Sequence, residues 1–221
     1  MPNSIFVTGG TGYIGSRLIP VLAKRGHRVK ALVRAGSENK LPAGAIGIVG
    51  DALRMNSYTE HARGCDAFVH LIGVPHPSPA KAKQFHDVDL ASIKVAVKAA
   101  RDAGIRHFVY LSVAHPAPVM KEFIAVRNAG EEMIRESGIN ATLVRPWYVL
   151  GPGHWWPYAI LPVYWILEKL PKTKESAERL GLVTINQMLS VLIWAVENQP
   201  VGVEIVDVPR IREISQSFSA R

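Results

Sequence analysis

The sequence predicts an α/β fold: a doubly wound parallel sheet with helices on both faces and a small C-terminal helical cover. Three observations predict it. A short β-branched run, Ser4–Thr8, leads at once into Gly9-Gly10-Thr11-Gly12 and then into an amphipathic helical stretch. The phrase helix, glycine, strand occurs three times, with Gly26, Gly104 and Gly138 at the joints. Glycine just past a helix end accepts the left-handed backbone that other residues resist. Helices alternating with strands in this way build a parallel sheet, because parallel strands need long crossover connections.

In chain order, Ser4–Thr8 is the first strand. Tyr13–Lys24 is the first helix, with Ile14, Leu18, Val21 and Leu22 on one face, and His27–Val33 is the next strand. Ala45–Val49 and Ala67–Ile72 supply two more. A helix over Lys81–Asp102 precedes the strand Ile105–Leu111, and a helix over Val119–Glu136 precedes the strand Ile139–Val144. After Pro146 prolines, glycines and aromatics gather, with five aromatic residues from Trp155 to Trp165. Thr184–Glu197 reads as a capped final helix and Val203–Val208 as a late strand. The expected division is residues 1–153 as the nucleotide-binding part and 154–221 as a cover integrated into the same domain.

Composition narrows the function. An apolar fraction of 48% against 20% charged residues supports a packed core and excludes a disordered chain. The single cysteine, Cys65, excludes a disulfide framework and a cysteine zinc cluster. The histidines show no metal-ligand spacing, so no metal is expected. No apolar run reaches the roughly 20 residues of a membrane-spanning helix. The chain enters its first strand with no room for a secretory leader, and the expected location is cytoplasmic. The net charge is +8, yet residues 1–50 hold seven basic side chains against one acid. That asymmetry suits an anionic ligand held near the N-terminal third.

The segment Thr8-Gly9-Gly10-Thr11-Gly12-Tyr13-Ile14-Gly15 follows a strand and opens a helix, which is the context that gives a glycine-rich pattern meaning. Gly9 permits a tight turn, Gly12 lets the backbone approach a pyrophosphate, and Gly15 lets the helix pack close. The amides of the helix N-terminus favour an anion there. At the end of the second strand, Val33-Arg34-Ala35-Gly36-Ser37 has no acid to receive ribose hydroxyls. Arg34 offers a guanidinium fork for a 2′-phosphate and Ser37 a hydroxyl, so NADP(H) is preferred over NAD(H). Arg17, just inside the first helix, is a second candidate for the phosphate.

This pattern resembles the short-chain dehydrogenase/reductase superfamily and its Rossmann-type fold, most closely the atypical and extended branch with NmrA-like and complex I NDUFA9-like members. The likeness continues through Gly50-Asp51, His70-Leu71-Ile72-Gly73, Ser112, and Arg145-Pro146 with Gly151-Pro152-Gly153. The resemblance implies that Asp51 and Ala52 lie beside the adenine and that Leu71 and Gly73 lie near the adenosine. It also implies that Ser112 stands next to a substrate carbonyl. The family's proton-donating tyrosine and its lysine four residues later fall on Phe123 and Arg127. Phenylalanine has no proton to give, and arginine keeps a charge that can contact a ribose hydroxyl. Tyr148 and His115 are substitute acids, and Asp89 falls where the family carries a helix-borne asparagine.

The aromatic segment 154–167 has three readings: core, the wall of an apolar pocket, or a membrane-surface element. Acids among the following lysines weigh against the membrane. Two functions follow. One is an oxidoreductase acting on an apolar carbonyl or quinone-like compound. The other is a non-catalytic cofactor-binding sensor or structural subunit. Nucleic-acid binding rests on charge alone, and the cofactor end already accounts for the charge.

Overall fold

A computed structural model describes residues 3–117, 119–153 and 179–219. The strands are β1 (Ser4–Thr8), β2 (Arg28–Val33), β3 (Ala45–Val49), β4 (Ala67–His70), β5 (His107–Leu111), β6 (Asn140–Val144), β7 (Tyr148–Leu150), β8 (Leu182–Thr184) and β9 (Val203–Val206). The longer helices are α1 (Gly15–Lys24), α2 (Ala91–Asp102), α3 (Lys121–Ser137), α4 (Ile185–Glu197) and α5 (Val208–Ser219). Seven strands form one parallel sheet in the order β3-β2-β1-β4-β5-β6-β9, while β7 and β8 pair separately. The chain winds outward from β1 in one direction and then returns to its other side with β4. The C-terminal ends of β1 and β4 therefore frame a topological switch point, where ligands of open α/β sheets bind.

Alternation along the strands separates two cores. Ile5 and Val7 of β1 point to the face covered by α1, α4 and α5, where they meet Leu18, Leu22, Val191 and Ile211. Phe6 points to the opposite face, covered by α2 and α3, with Phe68, Phe108, Ile93 and Ile134. The Phe68 and Phe108 rings stack there with centroids 5.1 Å apart. Fully burying each such side chain contributes roughly 1.5–3 kcal/mol.

The three expected joints are present: Gly26, Gly104 and Gly138 all take positive φ, at 86°, 71° and 73°. The cap foreseen at Thr184 is a reciprocal capping box, in which the Gln187 amide donates to Thr184 Oγ1 at 3.2 Å and the Thr184 amide to Gln187 Oε1 at 2.8 Å.

Several boundaries differ from the sequence reading. The late strand stops at Val206 and joins the main sheet, and Val208 instead begins α5, which the sequence reading lacks. The helix ahead of β5 is not uniform, because Phe85–Leu90 is π-helical. The first helix opens at Gly15, leaving Tyr13 and Ile14 in the turn. No helix among the described residues is long and apolar enough to cross a membrane. The aromatic segment 154–167 lies outside the described residues.

Candidate functional site

The glycine turn closes on itself. The Gly12 amide donates to the Gly9 carbonyl at 3.0 Å, and Gly9 has φ +80°. A Cβ at Gly9 would lie 2.9 Å from the carbonyl carbon of Leu71, so the turn is pressed against the chain leaving β4, at the switch point. A Cβ at Gly15 would lie 2.3 Å from the Gly9 carbonyl oxygen, so only glycine lets α1 start this close to the turn. Gly10 faces inward, where a Cβ would meet Ile19 at 2.9 Å. The N-terminus of α1 has no capping side chain and no acid in its first turn. The Ser16, Arg17 and Leu18 amides donate to the Gly12 and Ile14 carbonyls, and the partial positive charge of the helix end favours an anion there.

Beside the turn opens a cleft of about 350 Å³ whose lining includes Gly9, Thr11, Arg34, Asp51, Ala52 and Gly73. These six sequence candidates, from the ends of four neighbouring strands, thus meet in one place. Arg34 is exposed and, among the described residues, has no ion-pair partner. It opens a tight turn closed by the Ser37 amide donating to the Arg34 carbonyl at 3.0 Å, with Gly36 at φ +77°. Asp51 is exposed, and its carboxylate accepts the Leu53 amide at 2.9 Å. Arg17 turns to the protein: its guanidinium lies 4.2 Å over the Tyr13 ring and donates to the Tyr13 carbonyl at 2.8 Å. The Tyr13 hydroxyl in turn abuts Gly151, where a Cβ would lie 2.2 Å away. The cleft fits the phosphate and adenosine end of a dinucleotide: an uncapped helix N-terminus, a glycine cradle and the exposed Arg34 guanidinium.

The residues matched to catalysis are placed differently. Ser112 follows β5, and its hydroxyl donates to Glu131 Oε1 at 2.6 Å. Glu131 is 1% exposed and is gripped by Arg145 through two hydrogen bonds, the Nε–Oε1 one 2.8 Å long. His115 Nε2 stands 3.7 Å from the same carboxylate. Burial works to raise the Glu131 carboxyl, but the Arg145 and Ser112 hydrogen bonds hold it below the usual range. Burial, and then the charge of Arg145, lower the His115 imidazole. Tyr148 is half-buried at the start of β7.

Phe123 packs against Phe85 with ring centroids 5.1 Å apart, in a small apolar cluster with Val74 and Val126. One turn on, Arg127 is buried rather than presented in the cleft. It donates to Asp89 at 2.7 Å and to the Leu111 carbonyl at 2.8 Å. A ribose contact by Arg127 was expected from the resemblance, and the guanidinium instead lies behind Gly73 with these partners.

Two polar clusters escape the sequence reading. One is Glu131 with Arg145. Its only signal is a glutamate one turn after Arg127, on the face of α3 that also carries Ile134 into the core. The other is His70, whose Nδ1 lies 2.8 Å from Thr8 Oγ1 and whose Nε2 lies 3.4 Å from Ser92 Oγ. Burial pushes that imidazole down to about 3, with the charge of Arg127 acting in the same sense.

Comparison with known proteins agrees with this geometry. A family model described as NAD(P)H-binding matches residues 9–152. The ceramide reductase of Caulobacter vibrioides is 26% identical over 209 residues, covering 93% of this chain and 65% of that protein. The 4-hydroxy-2-methyl-3-oxo-4-farnesyl-3,4-dihydroquinoline-1-oxide ketoreductase of Stigmatella aurantiaca is 28% identical over 168 residues, covering 66% of this chain and 50% of that protein. The chain thus spans between half and two thirds of the length of these two relatives. Among solved structures, the Bordetella bronchiseptica enzyme WbmH in complex with NAD+ matches with a TM-score of 0.69 at 20% identity, over 98% of this chain and 81% of that one. This likeness establishes the fold alone. The chain belongs to the NAD(P)H-binding family, as an atypical, extended-type member of the short-chain dehydrogenase/reductase superfamily.

Proposed function

We propose that the protein binds NADP(H) in the switch-point cleft and acts as an oxidoreductase on an apolar carbonyl or quinone-like compound. The observation that carries the cofactor half is Arg34: a guanidinium at the rim of the cleft, exposed, without an ion-pair partner among the described residues, and at a strand end that has no acid. A 2′-phosphate supplies the charge that this fork lacks. The substrate half draws on the two relatives, a ceramide reductase and a farnesyl-bearing quinoline ketoreductase, whose substrates carry apolar chains. Bound nicotinamide would supply hydride. The proton has to come from a group other than the side chain at position 123, and Tyr148 or water is assigned that role.

A second reading keeps the cofactor and drops the chemistry: a redox sensor or structural subunit. It is favoured by Phe123, which packs in an apolar cluster, and by Ser112, whose hydroxyl is held by Glu131. Fluorescence titration with NADPH and NADH tests the shared half. Tighter NADPH is expected, and equal affinity or a preference for NADH refutes the assignment to Arg34. NADPH oxidation across a panel of long-chain ketones and quinones then separates the two readings. Binding without turnover on any of them selects the second.

A further inference from the structure

The cleft wall formed by Ile72, Gly73, Val74 and Pro75 has little regular structure of its own, since β4 ends at His70. Behind it stand two charges. Asp89 is 1% exposed and Arg127 is 5% exposed. Asp89 belongs to the π-helical segment Phe85–Leu90, whose wider turn breaks the α-helical register just ahead of α2. Its Oδ2 accepts the Val74 amide at 3.0 Å, and its Oδ1 accepts Arg127 Nη2 at 2.7 Å. Arg127 Nη1 reaches the carbonyls of Leu111 at 2.8 Å and Ile72 at 3.4 Å. A Cβ at Gly73 would lie 2.2 Å from Nη2, so the guanidinium occupies the space that a side chain there would need. One planar fork therefore joins the wall, the end of β5 and the π segment. A lysine could hold the carboxylate, but as a compact point charge it lacks the planar fork that reaches both carbonyls as well.

We propose that Asp89 and Arg127 are positioning residues that hold the 72–75 wall in the shape that receives the dinucleotide. This inference rests on reading the cleft as the cofactor site. The pair contacts the wall's backbone at Val74 and Ile72, so loosening it widens the cleft before it unfolds the sheet.

The test compares Arg127→Lys and Asp89→Asn with Ile134→Val and Ile134→Ala. Ile134 is a core residue on the same helix and is not itself among the residues that line the cleft. NADPH affinity is measured by fluorescence and stability by thermal melting. Exchange of the Val74 amide is followed without cofactor. Arg127→Lys and Asp89→Asn are expected to weaken NADPH about tenfold and to speed Val74 exchange, with Val7 and Val109 unchanged. The Ile134 variants are expected to lose stability yet bind NADPH within twofold of wild type. If Arg127→Lys and Asp89→Asn bind as wild type does, or if affinity falls in step with melting temperature across all four variants, the positioning role is overturned. Wild-type protein that binds neither NADPH nor NADH overturns the cofactor reading of the cleft, and the positioning role falls with it.

Discussion

The Ser112 hydroxyl donates to the Glu131 carboxylate at 2.6 Å, at the end of β5 where the superfamily resemblance would place a substrate-facing serine. Glu131 is buried and also receives Arg145, so the hydroxyl serves a buried charge. A hydrogen bond to a charged group contributes about 1.5–3 kcal/mol net. Ser112→Ala is therefore expected to lower the unfolding free energy by that order, measured by urea denaturation. Glu131→Gln is expected to cost more, because it leaves Arg145 without its counter-charge. A Ser112→Ala protein of unchanged stability that loses NADPH turnover would instead assign the hydroxyl to substrate chemistry.

Gly15→Ala tests the cradle. The added methyl would stand 2.3 Å from the Gly9 carbonyl oxygen and 2.8 Å from the Gly10 Cα, both backbone atoms that no rotamer change can move. Either α1 retreats or the turn opens, and both spoil the approach of a diphosphate to the helix amides. Loss of NADPH binding by about 100-fold or more is expected, with a folded far-ultraviolet spectrum. Retained affinity would show that the diphosphate does not lie on this turn.

The parts of the fold that were legible in the sequence are those written locally. Gly26, Gly104 and Gly138 announce their joints because a positive φ is a property of one residue. The turn from Gly9 to Gly15 is legible because strand, glycines and helix follow without a gap. The α5 helix carried its own signals, Asp207 ahead of it and Ile211, Ile214 and Phe218 at helical spacing, which a strand reading that continues to Val208 passes over. The Arg210 amide donates to Asp207 Oδ1 at 3.1 Å, as a capping acid would have suggested. The strands β7 and β8, three residues each, are too short to show a period. The environment of Arg127 is not legible in the sequence. Its partner Asp89 comes from another helical segment, 38 residues away, and is turned inward by a π segment that has no sequence signature.

Acid sensitivity should set in above the carboxylate range. His70 and His107 are each 1% exposed, and burial pushes their imidazoles down to about 3 and about 4. Unfolded, each takes up a proton near pH 6.5. The unfolded state thus binds more protons below that pH, so the stabilisation is complete above about 6.5 and is lost as pH falls toward 4. Each histidine removes up to about 1.4 kcal/mol per pH unit in that window. Glu197 and Asp66, whose carboxyls are held low mainly by hydrogen bonds from Arg25 and from the Ser4 amide, act only below the ordinary carboxylate range. The urea midpoint should therefore drop between pH 7 and pH 5. The drop should shrink in His107→Gln, which keeps a partner for the Thr142 hydroxyl. Asp89, whose carboxyl burial raises, acts in the opposite sense as pH falls, so the comparison that decides is between proteins: a pH 7 to pH 5 change of equal size in wild type and His107→Gln would contradict the buried neutral imidazole of His107.

Arg34→Glu should reverse the cofactor preference. The side chain is exposed at the cleft rim, on a turn closed by the Ser37 amide, so the backbone is expected to keep its course when the side chain changes. A glutamate would repel a 2′-phosphate and accept the two ribose hydroxyls of NADH in its place. Loss of a charge-assisted contact of about 1.5–3 kcal/mol corresponds to roughly 10- to 100-fold weaker NADPH. NADH is expected to tighten in the same variant, and the melting temperature to stay near wild type, as for most exposed substitutions. Parallel fluorescence titrations of both cofactors decide the matter. If NADPH weakens and NADH weakens equally, Arg34 steers anions in general and does not recognise the phosphate that separates the two.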